Sequence, residues 1–87
     1  MAQEQFFVTI DEDYITLTQL LKALAIIQTG GQAKPFLSTY GVWVDGESEQ
    51  RRGRKLYPGM HITIEDVEGE FIIEAAANEA TVVDDEA

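Results

Sequence analysis

Thr16 and Gln19 stand at the head of an apolar stripe, Leu17, Leu20, Leu21 and Leu24, and this arrangement constrains the chain more than any other feature. A threonine hydroxyl can accept from the backbone three residues on, and a glutamine there can return the bond, so the pair closes the first turn of a helix. Ile15 can staple onto Leu20 from outside that turn. The stripe recurs at helical spacing and needs a core to pack against, which leaves Lys22 towards solvent. The helix is expected to run until Gly30-Gly31. There Thr29-x-x-Gln32 offers a second capping box, for a shorter helix through Ser38. Its inward face would be Ala33, Phe36, Leu37 and Tyr40, with Lys34 on the flank. Pro35 has no backbone donor and is awkward beyond a first turn.

Strand signals surround the two helices. Phe6, Phe7, Val8 and Ile10 form a β-favouring run that ends in Asp11, Glu12 and Asp13. Val42 and Val44 alternate with Trp43 and lead into Asp45-Gly46, the mark of a strand entering a tight turn, so Trp43 should face away from the valines. Tyr57-Pro58-Gly59 makes another turn, Met60, Ile62 and Ile64 alternate, and Phe71 to Ile73 reads as a short last strand. The expected fold is α+β, a two-helix hairpin packed on a small, mostly antiparallel sheet. With 87 residues the chain can bury one modest core, so a single domain over residues 1–74 is expected. Residues 75–87 are alanine-rich, then acidic, and read as a disordered tail. There is no cysteine, so packing alone must hold the core and no thiolate metal site can form. The acidic start of the chain and the absence of an apolar run near ~18 residues point to a cytoplasmic, non-membrane protein.

The formal net charge of -10 argues against a polyanionic partner, because an acidic protein repels phosphate at long range. Locally the charge distribution reverses this. All 6 Lys and Arg fall between Lys22 and Lys55, a stretch whose acids are Asp45, Glu47 and Glu49 alone. Guanidinium groups offer fixed forks of donors to phosphate, so Arg51, Arg52, Arg54 and Lys55, with Gly53 letting the run bend, are a candidate phosphate site. The competing reading is a solvated loop in which these residues balance the three acids through surface pairs worth about 0–1 kcal/mol each. Gly30 and Gly31 could cradle a phosphate at a helix start, or simply turn the chain. Trp43 and Tyr57 could stack on unpaired bases, with core packing as the alternative for at least one of them. His61 alternates outward and carries no chemistry. One histidine, no cysteine and serines only at Ser38 and Ser48 assemble no nucleophile and base, so no enzyme is expected. The triplets Asp11 to Asp13 and Asp84 to Glu86 lack the spacing and glycine of a calcium loop, so neither metal nor cofactor is expected.

The order of these signals is specific: a helix, Thr29-Gly30-Gly31-Gln32-Ala33-Lys34 opening a second one, Phe36-Leu37, Val42-Trp43-Val44-Asp45-Gly46, Arg54-Lys55-Leu56, and Pro58-Gly59-Met60-His61-Ile62. Over residues 15–65 it resembles the RNA-binding domain first defined in ribosomal protein S4 and carried by small stand-alone bacterial proteins of the YaaA and YbcJ type. The resemblance implies an αL-motif fold that docks structured, often ribosomal, RNA on the second helix and the following hairpin. It places Lys34, Arg51, Arg52, Arg54 and Lys55 on that surface, with Gln32, Gly30 and Gly31 at the helix opening. Gly30, Pro35 and Asp45 depart from the family's usual basic residue, unbroken helix and asparagine. A monomeric, non-catalytic RNA-binding protein is the expectation. The rival is an acidic protein-interaction module that binds a basic partner such as a ribosomal protein.

Overall fold

A computed structural model describes residues 4–76. The expected disordered tail therefore lies, beyond its first residues, outside the described part. The fold is α+β. Five strands form the main sheet in the order β1-β7-β6-β3-β4, where β1 is Gln5–Ile10, β3 Val42–Val44, β4 Glu47–Ser48, β6 His61–Ile64 and β7 Glu70–Ala75. Only the β1–β7 pair is parallel, with Phe6 opposite Phe71 and Val8 opposite Ile73. A separate two-stranded ladder joins β2 (Ile15–Thr16) to β5 (Lys55–Leu56). The helices α1 (Leu17–Ala23) and α2 (Ala33–Thr39) supply Leu17, Leu20, Leu21, Ala33 and Leu37 to a core shared with Val42, Val44, Leu56, Ile62, Ile64 and Ile73. Among the described residues no helix is long and apolar enough to cross a membrane.

Alternation places the sheet residues as the pattern requires. Val42 and Val44 are buried while Trp43 between them is only half-buried, on the opposite face. Asp45 (φ 53) and Gly46 (φ 86) both take left-handed backbone, giving the two-residue hairpin turn that matches strand twist. The side-chain carboxylate of Asp45 accepts the His61 N–H at 2.9 Å, tying the turn to β6. On the outer face His61 Nδ1 lies 2.9 Å from Glu70 Oε2, so the histidine read as a plain surface residue belongs to a cross-strand pair. This hydrogen bond, followed by one from Gln5, holds the Glu70 carboxyl below its ordinary range.

Helix α1 starts where the cap predicts. Gln19 N–H donates to Thr16 Oγ1 at 3.2 Å, and Thr16 N–H donates to Gln19 Oε1 at 2.8 Å. Its end differs from expectation: the helix stops at Ala23, well short of Gly30. The cause is a Schellman-type closure in which Ile26 N–H donates to the Leu21 carbonyl and Ala25 N–H to that of Lys22, with Ala25 at φ 62. The turn lets Ile27 return into the core. No glycine or asparagine marks this stop, and an alanine Cβ is disfavoured there. Ala25→Gly is expected to stabilise the fold by about 0.5–1 kcal/mol, the relief of left-handed strain exceeding the entropy glycine adds to the unfolded chain. Urea denaturation checks it.

The second helix also corrects the sequence reading. Gly30–Gln32 form a 3-10 turn that runs directly into α2, so Pro35 sits in the first α-helical turn, where its missing donor leaves no bond unmade. Pro35 does not interrupt the helix. Phe36 and Tyr40 stack at its far end, centroids 4.8 Å apart, with Tyr40 exposed.

Candidate nucleic-acid interface

The basic run is a loop held from both sides. After β4, Glu49 turns inward: its N–H donates to the Val42 carbonyl at 2.8 Å, and it is 6% exposed, the one buried charged residue among those described. Its carboxylate accepts the Arg51 backbone N–H at 2.9 Å, Arg51 Nε at 2.9 Å, Arg51 Nη2 at 3.1 Å and Arg54 Nη1 at 2.7 Å. The Arg51 side-chain bonds, with further bonds from the Arg51 backbone and Arg54, hold the carboxyl at about 2 against the opposing effect of burial. The same contact raises the already high pKa of Arg51. From the other side, the head of α1 grips the loop backbone. Leu17 N–H donates to the Arg54 carbonyl at 2.9 Å, and the Thr18 N–H and hydroxyl both donate to the Arg52 carbonyl, at 3.0 and 2.9 Å.

This double anchoring divides the cluster that the sequence groups together. Arg51 and Arg54 serve Glu49 as well as facing outward, their side chains 75% and 27% exposed. These bonds to a buried carboxylate exceed the weak surface pairing expected of such a loop. Arg52 has no ion-pair partner among the described residues and, with Lys34 and Gln50, lines a cleft of about 240 Å³. Lys34 and Arg52, far apart in sequence, are thereby brought together. Arg51, Gly53, Arg54 and Lys55 line a second groove of about 470 Å³ with Tyr57 and Met60. The Lys55 Nζ lies 5.0 Å from the centre of the Tyr14 ring.

The helix opening plays a more structural part than the sequence suggests. Gln32 Oε1 accepts from the Gln28 and Thr29 N–H groups at 2.6 and 3.1 Å, so its acceptor atom is engaged in holding the turn. Gly30 and Gly31 have ordinary space for a Cβ. Gly53 does too, with nothing within 4 Å and no left-handed φ, so the bend of the basic run does not require glycine, contrary to the sequence reading. Sequence reasoning missed Glu49 as an organiser. Its one signal was a carboxylate two residues before Arg51 and five before Arg54.

Comparison with known proteins agrees with this architecture. Residues 8–73 match the S4 domain family. A protein of Bacillus subtilis (strain 168) named as probable ribosome maturation protein RlbA is 52% identical over 58 residues, covering 67% of this chain and 82% of the relative. The second helix opening at residues 30–34, the hairpin turning at Asp45-Gly46 and the basic loop leading into β5 all lie within the matched span, and the chain belongs to the S4 domain family.

Proposed function

We propose that the protein is a non-catalytic RNA-binding module that takes structured RNA on the surface made by α2 and the loop between β4 and β5. The observation that carries this reading is the Glu49-anchored loop, which presents Arg52 beside Lys34 in one cleft. Side chains held by such a scaffold lose less freedom on binding, so each phosphate contact retains more of its worth. Arg51, Arg54 and Lys55 extend the charge along the neighbouring groove, while Gln32, Gly30 and Gly31 set the position of α2 and so of Lys34. The name of the Bacillus relative, a probable ribosome maturation protein, supports a ribosomal setting, in which ribosomal RNA is the target we assign and the cytoplasm the place. The surrounding acids favour selectivity, since a net charge of -10 penalises RNA that cannot reach the cationic patch.

The test is fluorescence anisotropy with ribosomal RNA fragments across a salt series. Binding through unpaired strands should weaken with salt by a log–log slope of about -0.7 per phosphate contact, so Arg52→Ala and Lys34→Ala should each flatten it by about that amount. The double charge reversal, Lys34→Glu with Arg52→Glu, should abolish binding while leaving the thermal melt in place. A folded wild type that binds no fragment at low salt would overturn the reading.

A second reading has its own observation. Phe7 is 60% exposed on edge strand β1, with Glu4 before the strand and Asp11, Glu12 and Asp13 after it, which suits a basic protein segment. Such a complex would survive ribonuclease, whereas one made through the basic loop would not.

A further inference from the structure

We propose that the groove beside Tyr57 is a slot for one unpaired base of the bound RNA. The inference rests on the RNA reading above and adds to it the chemistry of the ligand. The groove joins an aromatic side chain, Tyr57, to three cationic ones, Arg51, Arg54 and Lys55, with Met60 completing the wall. This is the combination by which single strands are held, charge following the phosphates while a base stacks on a ring.

Tyr57 is built for presentation. The residue is 43% exposed, far from the state of a core aromatic, yet its position is determined by several contacts. The ring packs against Tyr14 with centroids 5.5 Å apart and planes inclined by 54°. Its N–H donates to Met60 Sδ at 3.4 Å and its carbonyl accepts the Met60 N–H at 3.1 Å, closing a turn that Gly59 permits at φ 97. Gly59 N–H in turn donates to the Ile73 carbonyl, pinning the turn to β7. A ring carried on a turn fixed in this way, with one side held against Tyr14, loses less freedom when a base arrives than one on a mobile loop.

Trp43, the other aromatic considered for stacking, is committed elsewhere. A Cβ on Gly41 would lie 2.6 Å from its indole, so glycine is retained there to let the ring pack over the chain. Paired bases hide their faces in the stack, so only a bulge, loop or strand end can supply a base to Tyr57. The slot would therefore select RNA by the presence of an unpaired nucleotide at a set distance from the phosphates held by Lys34 and Arg52.

The experiment compares three blunt-ended RNA hairpins that share one stem and one loop of abasic nucleotides: without a bulge, with a single-nucleotide bulge, and with the same bulge made abasic. Anisotropy with the wild type should favour the intact bulge by about five- to hundred-fold, the range expected of base–aromatic stacking. Tyr57→Ala should lose that preference without changing paired-stem affinity or the salt slope, and Tyr57→Phe should retain it. Equal wild-type binding to intact and abasic bulges would overturn the slot. Binding whose salt slope flattens with Arg52→Ala but which is indifferent to the bulge would remove the slot and leave the RNA reading standing. Binding to none of the three, nor to the ribosomal fragments, would remove both.

Discussion

Glu49→Gln is expected to destabilise the protein by about 2 kcal/mol while making its RNA binding steeper in salt and less selective. The substitution keeps the size of the side chain and removes its charge. Hydrogen bonds to charged groups contribute about 1.5–3 kcal/mol each where water is excluded. Here four donors converge on one buried carboxylate, but much of the Arg51 side chain remains in water, so the full sum is not available. The new amide would also turn donors towards guanidinium donors, and either the loop or the arginines must move. Arg51 and Arg54, no longer sharing their charge with Glu49, would face phosphate at full strength, and the log–log salt slope should steepen by up to about 1.4, the equivalent of two contacts. Stability and specificity fall together because one residue holds the loop in place. Urea melts measure the first effect, and the salt series on matched and unrelated RNA measures the second. An unchanged melt would mean that the carboxylate is not the anchor of the loop.

The pH dependence has a definite sign. The Glu49 carboxyl is lowered from 4.5 to about 2 in the folded chain, chiefly by Arg51. A depressed carboxyl contributes stability above its unfolded value, and that contribution is lost as pH falls through the folded one. The gap between wild type and Glu49→Gln should thus be constant near neutrality and close between about pH 4.5 and 2. Glu70, lowered by His61 and Gln5, contributes in the same direction to the acid arm of both proteins and cancels from the difference.

Local rules were legible in the sequence wherever one residue type answers one backbone requirement. Thr16 with Gln19 marked the start of α1, Asp45-Gly46 marked the hairpin, and alternation at Val42, Val44, Ile62 and Ile64 assigned the buried face. The end of α1 was hidden because an alanine takes the left-handed position usually held by glycine, a cost accepted for the sake of returning Ile27 to the core. The basic cluster was visible as composition, but its division was not. Whether an arginine faces phosphate or an internal carboxylate depends on the direction of Glu49, which follows from β3–β4 pairing and the Val42 bond rather than from neighbours in sequence. Lys34 beside Arg52 is likewise a product of the tertiary fold, which brings α2 and the loop to one cleft. The resemblance named both residues, and only their tertiary positions show them sharing one cleft.

Gly69→Ala is expected to cost about 3 kcal/mol, a large effect for a single methyl group. Gly69 takes φ 97, a conformation that already penalises any L side chain by about 1–2 kcal/mol. A Cβ there would lie 2.6 Å from Phe6 Cε2 and 3.1 Å from the Glu4 carbonyl oxygen. The Phe6 ring, 43% exposed, can swing outward at the cost of loosening its contact with Phe71, whose centroid is 5.6 Å away. The carbonyl is less free, because it accepts the Glu70 N–H at 2.8 Å and so opens the parallel ladder between β1 and β7. Strain and clash therefore act on the same junction, the one ladder that ties β1 to the sheet among the described residues. For a domain of this size the loss corresponds to a fall in Tm on the order of 15 °C, readable by calorimetry. Gly53→Ala is the matched control: its Cβ meets nothing within 4 Å and its φ is not left-handed, so Tm should stay within about 2 °C. RNA affinity of Gly69→Ala, measured well below its Tm, should equal that of the wild type, since β1 and the α2–loop cleft occupy opposite ends of the strand order. A melt unchanged by Gly69→Ala would show that β1 docks less tightly on β7 than their ladder implies.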